Sequence, residues 1–362
     1  MKISKTFIFL FVVLFLAMAN DYTISAQGEN NQSNFTLDAA TRSQVIEGVI
    51  KRFNQSYVFP EVAKAMEKSV RERMRKGEYD KITSPTALAE MLTSNLRQIS
   101  KDTHIEVVFS NKPLPPMNEV EREETEVERE NRRLNYARTN NGFLKVERLP
   151  GNIGFLDIDQ FVAPTFAGDT AAAAMNFLTN TDALIVDLRY CPGGSGEMVA
   201  LLSGYFFADS IHLGDYYQRE ADLTKQSWTS PYISGQRYLN KGIYVLTSKR
   251  THSAAEAFAY NLQNLKRATV IGEITRGGAH PVGRYLINEH FGIQVPVGRY
   301  INAATKTDWE GKGVIPNVPT TADKAFKLAH LTALKRFLEK NPNQERANDI
   351  KQLIEKLEKE IS

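Results

Sequence analysis

The stretch VLTSKRTHSAAEAFAYNLQNLKRATVIGEITRGGAHP, from Val245 to Pro281, decides the fold. An apolar strand over Ile243–Thr247 enters a turn, a helix opens at Ser253, and a second strand over Ala268–Gly272 leads into a Gly-Gly loop. A hydroxyl at a helix mouth beside a strand end is a common place for a hydrolase nucleophile, because the helix dipole and its free N–H groups favour the negative charge that develops there. Ser253-Ala-Ala-Glu256 equally fits a capping box, with Glu256 reaching back to the first turn, so both meanings stand at this point.

Upstream, Asp182 to Glu197 reads as a buried strand of continuous apolar residues that ends in the turn Cys191-Pro-Gly-Gly194. Glycines at a strand end let backbone N–H groups face a ligand with no Cβ in the way, although an ordinary βα turn has the same composition. Elsewhere, Ser84 and Pro85 start a helix that runs to about Ile99, with Leu88, Leu92, Leu96 and Ile99 on one face. His104 follows, at the start of an alternating strand with Ile105, Val107 and Phe109 on the other side. Patterning alone makes His104 a surface residue on an edge strand.

Together, DLRYCPGG, TSKRTHSAAEAFAYNLQ, RATVIGEITRGGAHP and WEGKGVIPN resemble the core of the C-terminal-processing (tail-specific) serine peptidases, a family that includes the tricorn-core peptidases and the repeats of interphotoreceptor retinoid-binding protein. These motifs span Asn152 to about Thr320. The resemblance implies an α/β fold, a mixed sheet layered with helices (a crotonase-like or ClpP-like core), preceded by a helical N-terminal domain. It implies Ser253 as nucleophile, with the Gly193/Gly194 turn and the N–H of Ala254 as the oxyanion hole. The lysine of the Ser–Lys members is Gly278 here, the asparagine of their glycine turn is Cys191, and their aspartate after the late proline is Asn317. Only the span Asn111–Gly142 lies where many members carry a PDZ domain, which is too short for one.

The base is then expected from the tricorn-like branch. Asp102-Thr-His104 resembles its D-x-H motif, and Glu310 stands at its glutamate position, which gives a Ser253–His104–Glu310 triad. A serine hydroxyl needs a base that titrates near neutrality, and a carboxylate fixes the imidazole tautomer. Gly277, Gly278 and His280 are candidates for the substrate cleft. No histidine pair has zinc-ligand spacing, so neither metal nor cofactor is expected.

Met1–Lys5 is basic, Thr6–Ala19 is apolar but too short to span a bilayer comfortably, and Ser25-Ala26 ends in small residues. This pattern predicts a signal peptide cleaved near Ala26, a periplasmic or secreted protein, and no stable membrane insertion afterwards. The formal charge of +3 falls to +2 once Lys2, Lys5 and Asp21 are removed, which gives no reason to expect nucleic acid as a partner. The single cysteine, Cys191, cannot form an intrachain disulfide. The expected organisation is a signal peptide (1–26), a polar leader (27–34), a helical domain (35–112), a charged linker (113–141), the core (142–322) and a helical tail (323–362). The expected activity is hydrolysis of peptide or protein substrates through an acyl-enzyme. The alternatives are a non-catalytic carrier of apolar ligands and a hydrolase of non-peptide esters or amides. Oligomeric state is left open.

Overall fold

The computed structural model describes residues 35–114, 125–343 and 345–361. The expected signal peptide and polar leader lie outside the described residues. Three helices come first: α1 (Ala39–Ser56), α2 (Pro60–Arg75) and α3 (Pro85–Ser100), followed by β1 (Glu106–Phe109) and the charged helix α4 (Glu126–Arg138). The next elements are β2 (Phe143–Leu149), β3 (Ile153–Ile158), α5 (Pro164–Leu178), β4 (Ala183–Asp187), α6 (Gly196–Gly204), β5 (His212–Gln218) and β6 (Leu223–Trp228). The chain continues through β7 (Gly242–Thr247), α7 (Ala254–Asn264), β8 (Thr269–Gly272), β9 (Val282–Leu286), β10 (Phe291–Pro296), β11 (Gly298–Asn302), β12 (Val318–Pro319), α8 (Ala322–Lys340) and α9 (Ala347–Ile361). No helix of the described residues is long and apolar enough to cross a membrane.

The central sheet has the order β12-β8-β7-β4-β3-β2, parallel except for the β2–β3 pair. Its inner strands are buried on both faces, so they are mostly apolar, as in β4, where all five residues are buried and only the last, Asp187, is charged. Alternate residues serve opposite layers. Leu184, Val186 and Val245 pack with α5, α6 and α7. Ile185, Tyr244 and Leu246 pack under α8 and α9. The carboxyl ends of β4 and β7 lead into the Cys191–Gly194 turn and the Ser248–Ser253 turn. In open α/β sheets that end is where ligands bind.

Two small sheets complete the molecule, β11-β5-β6 and β1-β10-β9. The second joins the N-terminal helices to residues far along the chain, with Glu106 opposite Gln294 and Val107 opposite Ile293. Leu88, Leu92 and Leu96 of α3, predicted from their spacing, share one buried cluster with Ile293 and Val295. Each such side chain contributes about 1.5–3 kcal/mol on burial. Ser84 caps α3 through a hydrogen bond from the Ala87 N–H, and Pro85 opens its first turn, as the sequence predicts.

A polar clasp closes the same junction. The Arg219 guanidinium, just after β5, donates to the carbonyls of Asn54 (2.7 Å) and Tyr57 at the end of α1. Those carbonyls have no partner inside the helix. Replacing Arg219 by Met removes both bonds, and Arg219→Met is expected to lower stability by about 1.5–3 kcal/mol, read as a lower urea midpoint at unchanged slope.

Candidate active site

Ser253 is the residue before α7, at φ 53° and ψ −119°. A non-glycine residue in such a conformation costs on the order of 1–3 kcal/mol and persists only where its surroundings hold it. Glu256, wholly buried, supplies the hold. Its Oε2 accepts the N–H groups of Ser253 (2.8 Å) and Gly278 (2.9 Å). Its Oε1 accepts the Gly277 N–H (2.6 Å) and the Thr275 hydroxyl. Burial raises the Glu256 pKa, and these four donors oppose the shift. The Glu256 half of the capping box is therefore present, and the same carboxylate also ties the 275–278 loop to the helix mouth.

The turn before Ser253 is pinned to the end of β4. The Thr251 hydroxyl donates to Leu188 O (2.8 Å), the Ser248 hydroxyl to Arg189 O, and the His252 N–H to Cys191 O (3.1 Å). Gly193 and Gly194 stand at φ +107° and +134°. A Cβ on Gly193 would lie 2.8 Å from both Ser253 Cβ and Ala254 N, and one on Gly194 would lie 2.2 Å from Phe161 O, so the close approach requires glycine. Among the described residues, no acceptor takes the N–H of Gly193, Gly194 or Ala254. Free amides beside a hydroxyl at a helix mouth can receive a developing oxyanion.

Cys191 is fully buried, and burial pushes its thiol up to about 12, so it is a packed residue rather than a nucleophile. Asn317 has a packing role of its own: its Oδ1 accepts the Val270 N–H (2.8 Å) of β8 and the Gln263 amide (3.1 Å).

His104 lies in the turn between α3 and β1, two residues ahead of the strand rather than within it. Its carbonyl accepts from Gln294 Nε2 (2.8 Å) on β10, and the next carbonyl, Ile105 O, accepts from Arg97 Nε (2.7 Å) on α3. Nδ1 of His104 stands 3.3 Å from Asp102 Oδ1 and 3.4 Å from Glu310 Oε1. Burial alone would lower the His104 pKa, but these two carboxylates outweigh it and raise it to about 9. Burial likewise opposes the shift of Asp102, whose pKa nonetheless falls well below the carboxylate range because His104 and His280 both bond it. An ionised Asp102 assigns the proton to Nδ1 of His104 and leaves Nε2 as the free acceptor.

That Nε2 points at Gly278. A Cβ at 278 would lie 2.8 Å from His104 Nε2 and 2.1 Å from His252 Nε2. Two imidazoles thus fill the space that a side chain at position 278 would occupy. His252, next to Ser253 in sequence, stacks on His104 with ring centroids 5.5 Å apart. Burial first, then Arg276 and the charge on His104, lower its pKa to about 4, so it is neutral. The Ser253 and Gly278 amides share the Glu256 Oε2 atom, so the Ser253 turn is tied to the glycine that the two Nε2 atoms border. No direct bond joins Ser253 Oγ to an imidazole among the described residues; in unliganded enzymes such bonds are often long.

Glu310 accepts the N–H groups of Ala279 (2.6 Å) and His280 (3.1 Å) through Oε2, while its buried Oε1 has no hydrogen-bond partner and faces His104. Asp308, two residues earlier, accepts the Glu310 N–H (2.9 Å). Ser253, Ala254, Gly194, Gly278 and His280 line a cleft of about 770 Å³, which Tyr216, Tyr300 and Trp309 close on one side. Glu310, Asp102 and His280 also line a second cavity of about 560 Å³. Asp102, His280 and Glu310 bring one imidazole and two carboxylates within 4.8 Å of one another, and the Nδ1–H of His280 joins them by its hydrogen bond to Asp102 Oδ2 (2.8 Å). Patterning did not single out Asp102 as a bonding partner of two histidines; the signal was its place two residues before His104.

Against known proteins, residues 152–320 match the model of peptidase family S41, and residues 29–137 match the N-terminal domain of Peptidase S41 in eukaryotic IRBP. The carboxyl-terminal-processing protease of Synechocystis sp. is 28% identical over 152 residues, 42% of this chain and 34% of that protein. The tail-specific protease of Haemophilus influenzae is 34% identical over 99 residues, 26% of this chain and 13% of that protein. The chain thus spans about a third or less of the length of these two relatives. Among solved structures, a putative peptidase from Parabacteroides merdae shares the fold at TM-score 0.56 and 17% identity, covering 77% of this chain and 90% of that one. Mature CPAF does so at TM-score 0.55 and 12% identity, covering 83% and 99%.

Gly278→Ala is expected to push both imidazoles away from the helix mouth. Reaction of Ser253 with a fluorophosphonate should slow at least about tenfold, a change of about 1.4 kcal/mol in barrier, while the thermal midpoint changes little.

Proposed function

The chain belongs to peptidase family S41, and from that premise we propose a serine-type peptidase, periplasmic or secreted, that acts through Ser253, His104 and Glu310. The observation that carries this reading is the meeting at Gly278 of the Ser253 turn with a His104 whose Nδ1 is held by carboxylates. The export part of the proposal rests on the basic start, apolar run and small residues of positions 1–26.

In the proposed reaction, Nε2 of His104 accepts the Ser253 proton as Oγ attacks a peptide carbonyl. The oxyanion rests on the amides of the Gly193/Gly194 turn and Ala254; one such donor is typically worth about 2.7–4 kcal/mol of barrier. The imidazolium then protonates the leaving amine, and the acyl-enzyme forms. Water deprotonated by His104 releases the acyl group. Glu310, beside Nδ1, stabilises the imidazolium. The aromatic wall of the cleft supports a substrate bound partly through apolar side chains.

Two outcomes test this. Ser253→Ala should abolish covalent labelling by a fluorophosphonate and hydrolysis of denatured casein. If the unmutated protein neither labels nor hydrolyses casein yet binds a fluorescent retinoid or fatty acid saturably, the carrier reading replaces this one. The second concerns pH. With His104 raised to about 9, its base form is the minority at neutral pH and grows about tenfold per pH unit below that value. The labelling rate should therefore climb with pH and level off near pH 9 rather than near 7.

A further inference from the structure

We infer that His280 is a positioning residue for the base: it holds Asp102 and Glu310 from behind, so that each presents one oxygen to Nδ1 of His104. This rests on the reading of His104 as the base. The four groups form a closed ring. Nδ1–H of His280 donates to Asp102 Oδ2 (2.8 Å) and lies 3.6 Å from Glu310 Oε2. The His280 backbone N–H bonds that same Oε2 (3.1 Å). The opposite oxygens, Asp102 Oδ1 and Glu310 Oε1, stand 3.3 Å and 3.4 Å from His104 Nδ1. Imidazoles and carboxylates thus alternate around the ring, and all four side chains are nine-tenths buried or nearly so.

The arrangement answers an electrostatic difficulty. Two carboxylates on one N–H repel each other and would hold a proton on His104 too tightly for a base. Every hydrogen bond that His280 gives to them draws charge away from His104. The ring of His280 is fixed for this task by Phe59, packed edge-on with centroids 5.6 Å apart. His280 is also the side chain common to both cavities, the cleft that holds Ser253 and the second cavity behind it. Other titratable groups facing the ring are few. The Tyr57 hydroxyl, at the end of α1, lies 3.4 Å from Asp102 Oδ2. Neutral His252 stacks on His104, with Arg276 beyond it. Lys101, Asp308 and Lys312 line the second cavity.

The test compares two amides. An asparagine places its NH₂ where Nδ1 of histidine stands; a glutamine carries it one bond further, to the depth of Nε2. His280→Asn should keep the ring, and His280→Gln should break it. The readout is the titration of the His104 imidazole by NMR in the full mature chain carrying Ser253→Ala, assigned with His104→Gln. With His280→Gln the midpoint should rise by about one pH unit, and with His280→Asn it should stay near the parent value. In protein with Ser253 intact, the pH at which labelling levels off should move with it, so that labelling at pH 7.5 falls about tenfold for Gln and is kept by Asn. A purely structural role would lower labelling equally at all pH values and leave the midpoint in place; that result overturns the inference. So would equal midpoints for Asn and Gln. The NMR titration needs no peptidase activity, so a protein that never labels would overturn the proposed function while still testing the ring.

Discussion

The pairing of β1 with β10 is the constraint on which the site depends. It fastens a segment from the first third of the chain to one nearly two hundred residues later, Glu106 opposite Gln294. Through it, His104 is bonded from β10 on one side while its neighbour is bonded from α3 on the other. Bringing such distant segments together costs loop-closure entropy, which the apolar cluster beneath the pair offsets. The Arg219 clasp adds direction at the same seam, because a guanidinium in contact with two helix-end carbonyls fixes how α1 meets the core.

A second constraint works at shorter range. Glu256 is a buried carboxylate, which is costly unless its oxygens are satisfied. Four donors satisfy it, and each comes from a piece of the site: the Ser253 amide, the Gly277 and Gly278 amides, and the Thr275 hydroxyl. The residue that stops α7 from fraying therefore also sets the distance between the serine and the glycine against which the imidazoles pack.

The charges follow from this geometry. Glycine at 278 leaves room for His104 and His252, and a side chain there would have to displace them. The carboxylates of Asp102 and Glu310 beside His104 stabilise its protonated form, whereas burial and the neighbouring cations keep His252 neutral. The site thus holds a charged and a neutral imidazole in contact, each set by its surroundings rather than by its own chemistry.

Sequence alone determined the parts that depend on local order. The apolar run of β4, the Ser84–Pro85 start of α3, the glycine turn after β4 and the strand–turn–helix at Ser253 are properties of neighbouring residues, and period and turn chemistry reveal them. The residues proposed as nucleophile, base and orienter were legible through motif order. Tertiary structure decided what those residues touch. Asp102 serves two histidines because the fold brings His280, from the loop before β9, against the residue two places before His104. His252 stacks on His104 from a turn whose backbone is bonded to Cys191, at the end of a different strand. Glu256 binds a loop some twenty residues away. Each of these depends on a distance between segments remote in the chain, and such distances are set by burial and hydrogen-bond closure of the whole fold, which no local pattern encodes.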